Sequence, residues 1–543
     1  MSTLTSAHGA MAGGSLRDTM SKGLLLRKRH VSAERVWRLG ALAYALSLAA
    51  VILYANRDFY HDDAYITLRY ARNLIAGVGV VWNPGEYVQG YTNFLHLILV
   101  SLLGALDVDL VLASRIVGLA SLVALVCALL AFGWLRHRQR STPLWHLPAI
   151  LVMTSAPMLV WSVGGLEGTL FSLWVTLGCL FFVASFDTPH RTWSCTASGV
   201  CFAMSCLARP DGVIFVSLSA LWLSLDRRNG SRGHRLAAFL LPVVVIVVPY
   251  VIWQTLYYGS PLPNTFYAKM GAPLGERLAS GLRYVVDYAS RPPFLPVLVL
   301  APLVYAAATK QWTSRVTYLA LSGAGYLGFV IFVGGDHMQA FRLLLPVIAL
   351  MSVLLASASS SVTALQGNLA SGGVTLLVLM LATLQLSDPT LNPRNPDPAA
   401  FVGAIVGKHI ADAWPEDSLV ALNTAGSTPY FATRNRYIDM LGLNDAHIAK
   451  RRIEQAQLPW QHVPGHLKGD GAYVLDRRPD FIIIGPAEGT VAANPWFLSD
   501  LELAIDPRFA DEYELSRVRL NREGRRVEQG GLVFTYYRRM RGH

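Results

Sequence analysis

Two adjacent carboxylates open the segment His61-Asp62-Asp63-Ala64-Tyr65, which follows directly on an apolar run. Charged groups at a membrane surface are costly without a purpose. One aspartate of such a pair can take a proton from an attacking hydroxyl while its neighbour orients that hydroxyl or holds a divalent cation. The pair can equally cap the amphipathic stretch at residues 66–74, because Asp is a favoured helix N-cap. Asp62 and Asp63 are therefore the catalytic candidates, with the metal question open.

Five further segments carry groups suited to a sugar or a phosphate. The run Trp82-Asn83-Pro84-Gly85-Glu86-Tyr87-Val88-Gln89-Gly90-Tyr91-Thr92-Asn93 offers Glu86, Tyr91 and Asn93 for stacking and hydrogen bonding to a sugar, although Trp82, Tyr87 and Tyr91 also suit an interfacial aromatic belt. Arg209-Pro210-Asp211-Gly212 and Gly334-Gly335-Asp336-His337, with Arg342 beyond, place guanidinium groups at the ends of apolar runs. An arginine there needs an anion, which a lipid phosphate supplies in bidentate geometry. Internal pairs, Arg209 with Asp211 or Glu167 and Arg342 with Asp336, meet the same need. Pro261-Leu262-Pro263-Asn264-Thr265-Phe266-Tyr267-Ala268-Lys269 is a proline-stiffened loop ending in a cation, and Gly164-Gly165-Leu166-Glu167-Gly168 adds an isolated carboxylate.

These groups are positioned by a membrane domain. The 543 residues are 53% hydrophobic and 15% charged, a balance that one water-soluble core could not hide. Apolar runs at 39–56, 110–135, 236–253 and 316–335, charge-free but for Arg115, are long enough to cross roughly 30 Å of hydrocarbon, and about eleven such spans are expected. The net charge of +11 does not indicate a nucleic-acid partner, because the basic residues sort by loop. Arg27, Lys28, Arg29, Arg35 and Arg38 hold the N-terminus in the cytoplasm. If residues 94–106, short for a span, are interfacial or re-entrant, then Arg136, Arg138, Arg140, Arg191, Arg227, Arg228, Arg232, Arg235, Lys310 and Arg315 also fall inside. The motif-bearing segments 61–91, 164–168, 208–212, 259–269 and 334–342 then share the outer side. The cysteines Cys127, Cys179, Cys195, Cys201 and Cys206 all lie in expected spans and form no disulfide or metal-thiolate pattern.

The expected organisation is a disordered cytoplasmic tail (1–36), an all-α polytopic domain (37–386), a linker with four prolines (387–398) and an extracytoplasmic α/β domain (399–543). In the last, Phe401, Val402, Ile405, Val406, Ile410 and Trp414 recur at helical spacing, while 419–422 and 481–484 read as short buried strands and 512–520 with 532–537 as paired strands. Independent folding and a role in engaging an acceptor are expected of it.

In their order along the chain, His-Asp-Asp-Ala-Tyr, Asn-Pro-Gly-Glu with Tyr-Thr-Asn, Ala-Arg-Pro-Asp-Gly, Pro-Asn-Thr-Phe-Tyr-Ala-Lys and Gly-Gly-Asp-His-Met with Arg342 resemble the GT-C glycosyltransferases. The nearest likeness is to the bacterial arabinofuranosyltransferases that finish cell-wall arabinan. In the last domain Tyr437-Ile438-Asp439-Met440-Leu441-Gly442-Leu443-Asn444-Asp445 and Pro464-Gly465-His466-Leu467-Lys468 are similar too. The resemblance implies a multi-pass protein of the bacterial cytoplasmic (inner) membrane. It implies a polyprenyl-phosphate sugar donor, arabinofuranose favoured, and a glycan, lipid or protein hydroxyl as acceptor. Asp62 or Asp63 would be the base of an inverting displacement. Arg209, Lys269 and Arg342 would hold the donor phosphate, with Glu86, Tyr91, Asn93, Glu167, Asn264, Asp336 and His337 around the sugar or acceptor.

Two other readings compete. Many spans with intramembrane charge also describe a lipid or glycan transporter, but the charged motifs gather on one side and no repeated halves are visible. A Gly-rich phosphate loop with Lys and Ser or Thr is missing from the sequence, which weakens an ATP-driven one. A non-catalytic, polysaccharide-binding scaffold would leave the paired aspartates without a role.

Overall fold

The computed structural model describes residues 36–140, 144–187, 192–226, 232–271, 273–359 and 368–540. The N-terminal tail, Arg191, Arg227 and Arg228 lie outside them, as does the side chain of Arg140.

Apolar periodicity makes the first part of the chain a helical bundle. It begins with α1 (Val36–Ala55). α2 (Asp62–Ile75) and α3 (Phe94–Gly104) follow, and then α4 (Leu110–Arg140) returns along the bundle. α5 (Leu147–Met153) and α6 (Ala156–Val163) form one interrupted path, succeeded by α7 (Gly168–Ala184), α8 (Trp193–Ala208), α9 (Val213–Leu225) and α10 (Arg232–Tyr258). α11 (Asn264–Lys269), α12 (Leu274–Ala289), α13 (Leu295–Ala308), α14 (Ser314–Val333), α15 (Leu345–Ser359) and α16 (Asn368–Thr383) complete it.

By length and composition six helices can cross a membrane: Val36–Ala55, Leu110–Arg138, Arg232–Tyr258, Ser314–Val333, Gln339–Ser359 and Leu369–Ser387. Phe94–Gly104, Gly168–Ala184, Trp193–Ala208, Pro210–Leu225 and Leu295–Ala308 are apolar but shorter. The chain is a multi-pass membrane protein, although about eleven helices of full spanning length are not found among the described residues. α10 shows the membrane character most plainly, since Leu241, Val244, Val245, Ile252 and Leu256 all face outward.

α3 has 11 residues, about 16 Å of helix, half of a hydrocarbon core. Asn93, before it, bonds Glu167, while Asp107 and Asp109, after it, share a surface pocket with Arg72 and Tyr430. Both ends thus stay at one end of the bundle. The break between α5 and α6 is filled by buried Gln385, which accepts from Ala156 N at 2.9 Å and donates to Thr154 O at 3.2 Å, as broken helices in an apolar medium require.

The bundle has two chemically distinct ends. At one, Arg136 and Arg315 pair with Asp187, and Arg235 with Asp226 at 3.1 Å. The other gathers the motif segments and meets the C-terminal domain. The proline-rich connection is strapped down there: Asp388 accepts from Arg291 at 2.9 Å, and Asn56 bonds Asn392 and the Arg394 N–H.

Asp397 caps α17 (Pro398–Ala413) through Ala399 N at 3.0 Å. After it come β1 (Leu419–Leu422), α18 (Ser427–Phe431), β2 (Arg436–Asp439), β3 (Phe481–Ile483) and the hairpin β4 (Tyr513–Leu520) and β5 (Leu532–Arg539). The sheet order is β2-β1-β3-β5-β4; β1 runs parallel to β2 and β3, and the hairpin adds antiparallel strands.

This domain does not stand apart from the bundle. Ile66 and Tyr70 of α2, with Val80, Trp82 and Tyr91 of the following loop, form one buried apolar cluster with Val406, Trp414, Leu422, Tyr437 and Phe534. The buried Arg69 guanidinium crosses this interface, donating to Trp82 O at 2.8 Å, Asn435 O at 3.1 Å and Pro429 O. The two parts share a core, so the expectation that residues 399–543 fold alone meets a physical obstacle: excision would expose half of it.

Candidate active site

The N-terminus of α2 separates the two adjacent aspartates. His61 is the N-cap: its Nδ1 accepts from Asp63 N at 3.2 Å. Its Nε2 faces Asp397 Oδ2 at 3.4 Å. The capping role considered for Asp62 or Asp63 therefore belongs to His61. Both carboxylates instead sit in the first turn, where the helix dipole favours negative charge.

Asp62 turns to the C-terminal domain. Its carboxylate accepts from Gly426 N at 3.1 Å, Ser427 N at 2.8 Å and Ser427 Oγ at 2.7 Å, while its own N–H donates to Asp397 at 3.0 Å. A Cβ at position 426 would overlap the Asp62 carbonyl oxygen and carboxylate, so this approach needs glycine. Burial pushes Asp62 up to about 6 against the bonds from Ser427, with the Asp397 and Asp63 charges adding to the rise.

Asp63, one residue on, faces the membrane-domain loops. Burial alone would raise its pKa, but His61, Lys269, Arg342 and His337 overcome it and hold the carboxyl below the usual range. Lys269 ends α11 with no hydrogen bond or ion pair among the described residues. Asp336, in the loop after α14, feels the same opposition: burial raises it, and Arg342, His337 and Lys269 hold it well below the usual range. Arg342 bonds Asp336 at 2.8 Å, and its guanidinium lies over the Trp161 ring at 5.8 Å.

Backbone strain places that arginine. Gly334 and Gly335 have φ of 95° and 75°, and a Cβ on Gly335 would lie 2.7 Å from Tyr284 Cβ. Ala340 and Phe341, buried just before Arg342, are left-handed at φ 53° and 47°, a costly state for side-chain-bearing residues that surrounding contacts must enforce.

Behind this cluster Arg209 is held by Glu167 at 2.7 Å and Asp211 at 3.0 Å. Asn93 donates to Glu167 at 3.0 Å and accepts from Thr67, while Tyr326 donates to Asp211 at 2.7 Å. The internal pairs weighed from sequence are present for both Arg209 and Arg342. Arg209, Glu167 and Asn93 form a buried support, whereas Asp63, Lys269, Asp336, His337 and Arg342 converge in front of it.

Three expected sugar or acceptor groups are placed elsewhere. Glu86 pairs with Arg477 at 3.0 Å and accepts from Asn83. The Tyr91 hydroxyl bonds Tyr258 at 3.1 Å, and the Asn264 amide donates to Gly442, Leu443 and Asp445 carbonyls. Glu86 and Asn264 tie their loops to the C-terminal domain, and Tyr91 ties its loop to α10. Sequence reasoning gave no role to His61, Asp397, Gly426 or Ser427. Gly-Ser, separated by three residues from the β1 strand, was the available signal, because such a turn presents free N–H groups to an anion.

A cation bridging the two aspartates does not fit, since Asp62 is already committed to three donors and Asp63 looks toward positive charge. Among the described residues no group of three or more His, Cys, Asp or Glu side chains is placed to hold a metal ion.

Residues 399–531 match a family described as a domain of unknown function (DUF8728). Over 334 residues the chain is 27% identical to a protein of Corynebacterium glutamicum named terminal beta-(1->2)-arabinofuranosyltransferase, an alignment covering 54% of this chain and 47% of that protein. A Mycobacterium tuberculosis protein of the same name is 27% identical over 335 residues, 55% of this chain and 52% of that one. The chain thus spans about half the length of the curated relatives it matches. In fold it is similar to the crystal structure of ArnT from Cupriavidus metallidurans in the apo state, with a TM-score of 0.53 and 14% identity over 74% of this chain and 86% of that one. The resemblance to terminal arabinofuranosyltransferases read from the motifs holds in the comparison of sequences, and the chain shares its fold with that ArnT structure.

Proposed function

We propose that the protein is an inverting glycosyltransferase that takes a sugar from a polyprenyl-phosphate donor, with Asp63 as the base. The observation that carries this reading is the division of labour within the pair: Asp62 is spent on Gly426 and Ser427, whereas Asp63 faces Lys269, Arg342 and His337. A carboxylate beside cations suits a displacement in which one group gains a proton and another gains negative charge.

In that step the acceptor hydroxyl oxygen attacks the anomeric carbon, the bond from that carbon to the phosphate oxygen breaks, and polyprenyl phosphate leaves with the electron pair. Asp63 takes the hydroxyl proton. Lys269 and Arg342 stabilise the charge growing on the phosphate, a preorganised contribution since backbone strain and Asp336 already fix Arg342. The donor phosphate also opposes the cations around Asp63, so its arrival makes the carboxylate a stronger base when one is needed. Arg209, held by Glu167 and Asp211, supports the site from behind.

The relatives' names favour arabinofuranose as the sugar and an envelope glycan as acceptor. Basic loops at the end opposite the site favour an orientation with the site and C-terminal domain outside the cytoplasmic membrane. The test is to incubate protein in lipid nanodiscs with polyprenyl-phosphoryl arabinofuranose and an arabinofuranosyl oligosaccharide. Release of polyprenyl phosphate matched by acceptor extension supports the reading. Donor that crosses a bilayer intact, with no bond broken, would instead identify a transporter.

A further inference from the structure

Beyond Asp63 and His337 the aromatic side chains of the C-terminal domain form a row that the proposed chemistry does not use. The His337 ring meets His466 edge-on at 5.1 Å; Trp460 lies 6.1 Å from His466, and Trp496 stacks on Trp460 at 5.6 Å with the planes 9° apart. Phe497, buried, stacks under His466 at 5.6 Å and fixes its plane. Trp460 and Trp496 are 41% and 37% exposed, a large cost for two indoles unless something covers them.

From this we infer that Trp496, Trp460 and His466 form an acceptor-glycan platform leading to Asp63. Three consecutive ring-to-ring steps of 5 to 6 Å make a track longer than one sugar, so the occupant is an oligosaccharide. The apolar faces of sugar rings stack on indoles. Continuity with the reacting group favours a glycan over a lipid surface: the row ends at His337, whose ring lies 6.5 Å from that of His61, two residues before Asp63. His462, at the end of the short turn that carries Trp460, faces Glu276 of α12 at 3.4 Å, which ties that segment to the membrane domain.

The platform rests on the glycosyl-transfer reading for its purpose but not for its test. Binding of an arabinofuranosyl hexasaccharide to the full-length protein in nanodiscs is followed by calorimetry, with Trp460→Ala, Trp496→Ala and Trp496→Phe compared. The platform predicts binding by wild type, a loss of about tenfold or more in affinity for each Ala variant, and recovery in Trp496→Phe, which keeps an aromatic face. In turnover the acceptor KM rises by a similar factor while kcat and donor affinity hold. If no transfer is ever detected but the hexasaccharide binds and the Ala variants lose it, the platform stands and the transferase reading falls. Wild type that ignores the hexasaccharide, or Ala variants that bind it normally, overturns the platform. Weaker partitioning of the Ala variants into phosphatidylglycerol vesicles, with glycan affinity unchanged, would make the indoles membrane anchors and overturn it equally.

Discussion

Ser427 donates twice to Asp62, from its backbone N–H at 2.8 Å and its hydroxyl at 2.7 Å, so the first turn of α2 is fastened to the segment after the first strand of the C-terminal domain. Ser427→Ala removes one donor from a buried carboxylate, and Gly426→Ala forces the two segments apart. Each is expected to lower stability by about 1 to 3 kcal/mol. Thermal unfolding in detergent and faster proteolysis between bundle and domain report it; unchanged midpoints for both variants would contradict the clasp.

The pH dependence of that clasp has an unusual sign. A carboxyl raised to about 6 in the fold binds its proton more tightly there than in the unfolded chain, where it sits near 3.8. The folded state therefore gains from protonation, and the contribution of Asp62 to stability falls as pH rises from about 4 to 6, then stays flat. Asp439 is raised to about 6 by burial as well and adds in the same direction. Asp62→Asn should flatten part of this slope and leave the share of Asp439. Thermal midpoints of both proteins across pH 4 to 7 check this, and identical slopes would refute it.

Lys269→Met removes one of the positive charges that hold Asp63 below the usual carboxylate range. Protonation of Asp63 then becomes easier, so the acid limb of the kcat/KM profile moves to higher pH. In wild type the limb of kcat, which reports the donor-bound state, should lie above that of kcat/KM because the phosphate charge does the same thing. An acid limb that ignores Lys269 would separate this cation from the base.

Arg342→Ala is expected to weaken donor binding and rate together, by about tenfold or more each, since its charge contact exists before the transition state. It also strands buried Asp336. The double variant Arg342→Ala, Asp336→Asn should recover thermal stability without recovering donor affinity, which tells a binding role from a folding one. Recovery of both would reduce Arg342 to a structural partner.

Much of this arrangement was legible in the sequence. Helix α17 could be read from its apolar spacing, and the strands β1 and β3 from short buried runs between helical segments. The short α3 was legible because residues 94–106 cannot span. The convergence of the loops carrying Asp63, Lys269, Asp336 and Arg342 followed from charge sorting, since one side of a membrane is a strong constraint on distant segments. What could not be read was the allocation of neighbours. Asp62 and Asp63 are chemically identical, and only the approach of Ser427, 365 positions away, tells them apart. Glu86 and Asn264 looked available because their partners, Arg477 and the 442–445 carbonyls, lie in another domain.

The most direct test compares turnover and donor affinity in Asp63→Asn, an amide that keeps the shape but cannot take a proton. With polyprenyl-phosphoryl arabinofuranose and folded protein in nanodiscs, the account predicts a rate lowered roughly 100- to 10,000-fold with donor affinity largely preserved. Full turnover by a folded Asp63→Asn protein would contradict it and move the base elsewhere.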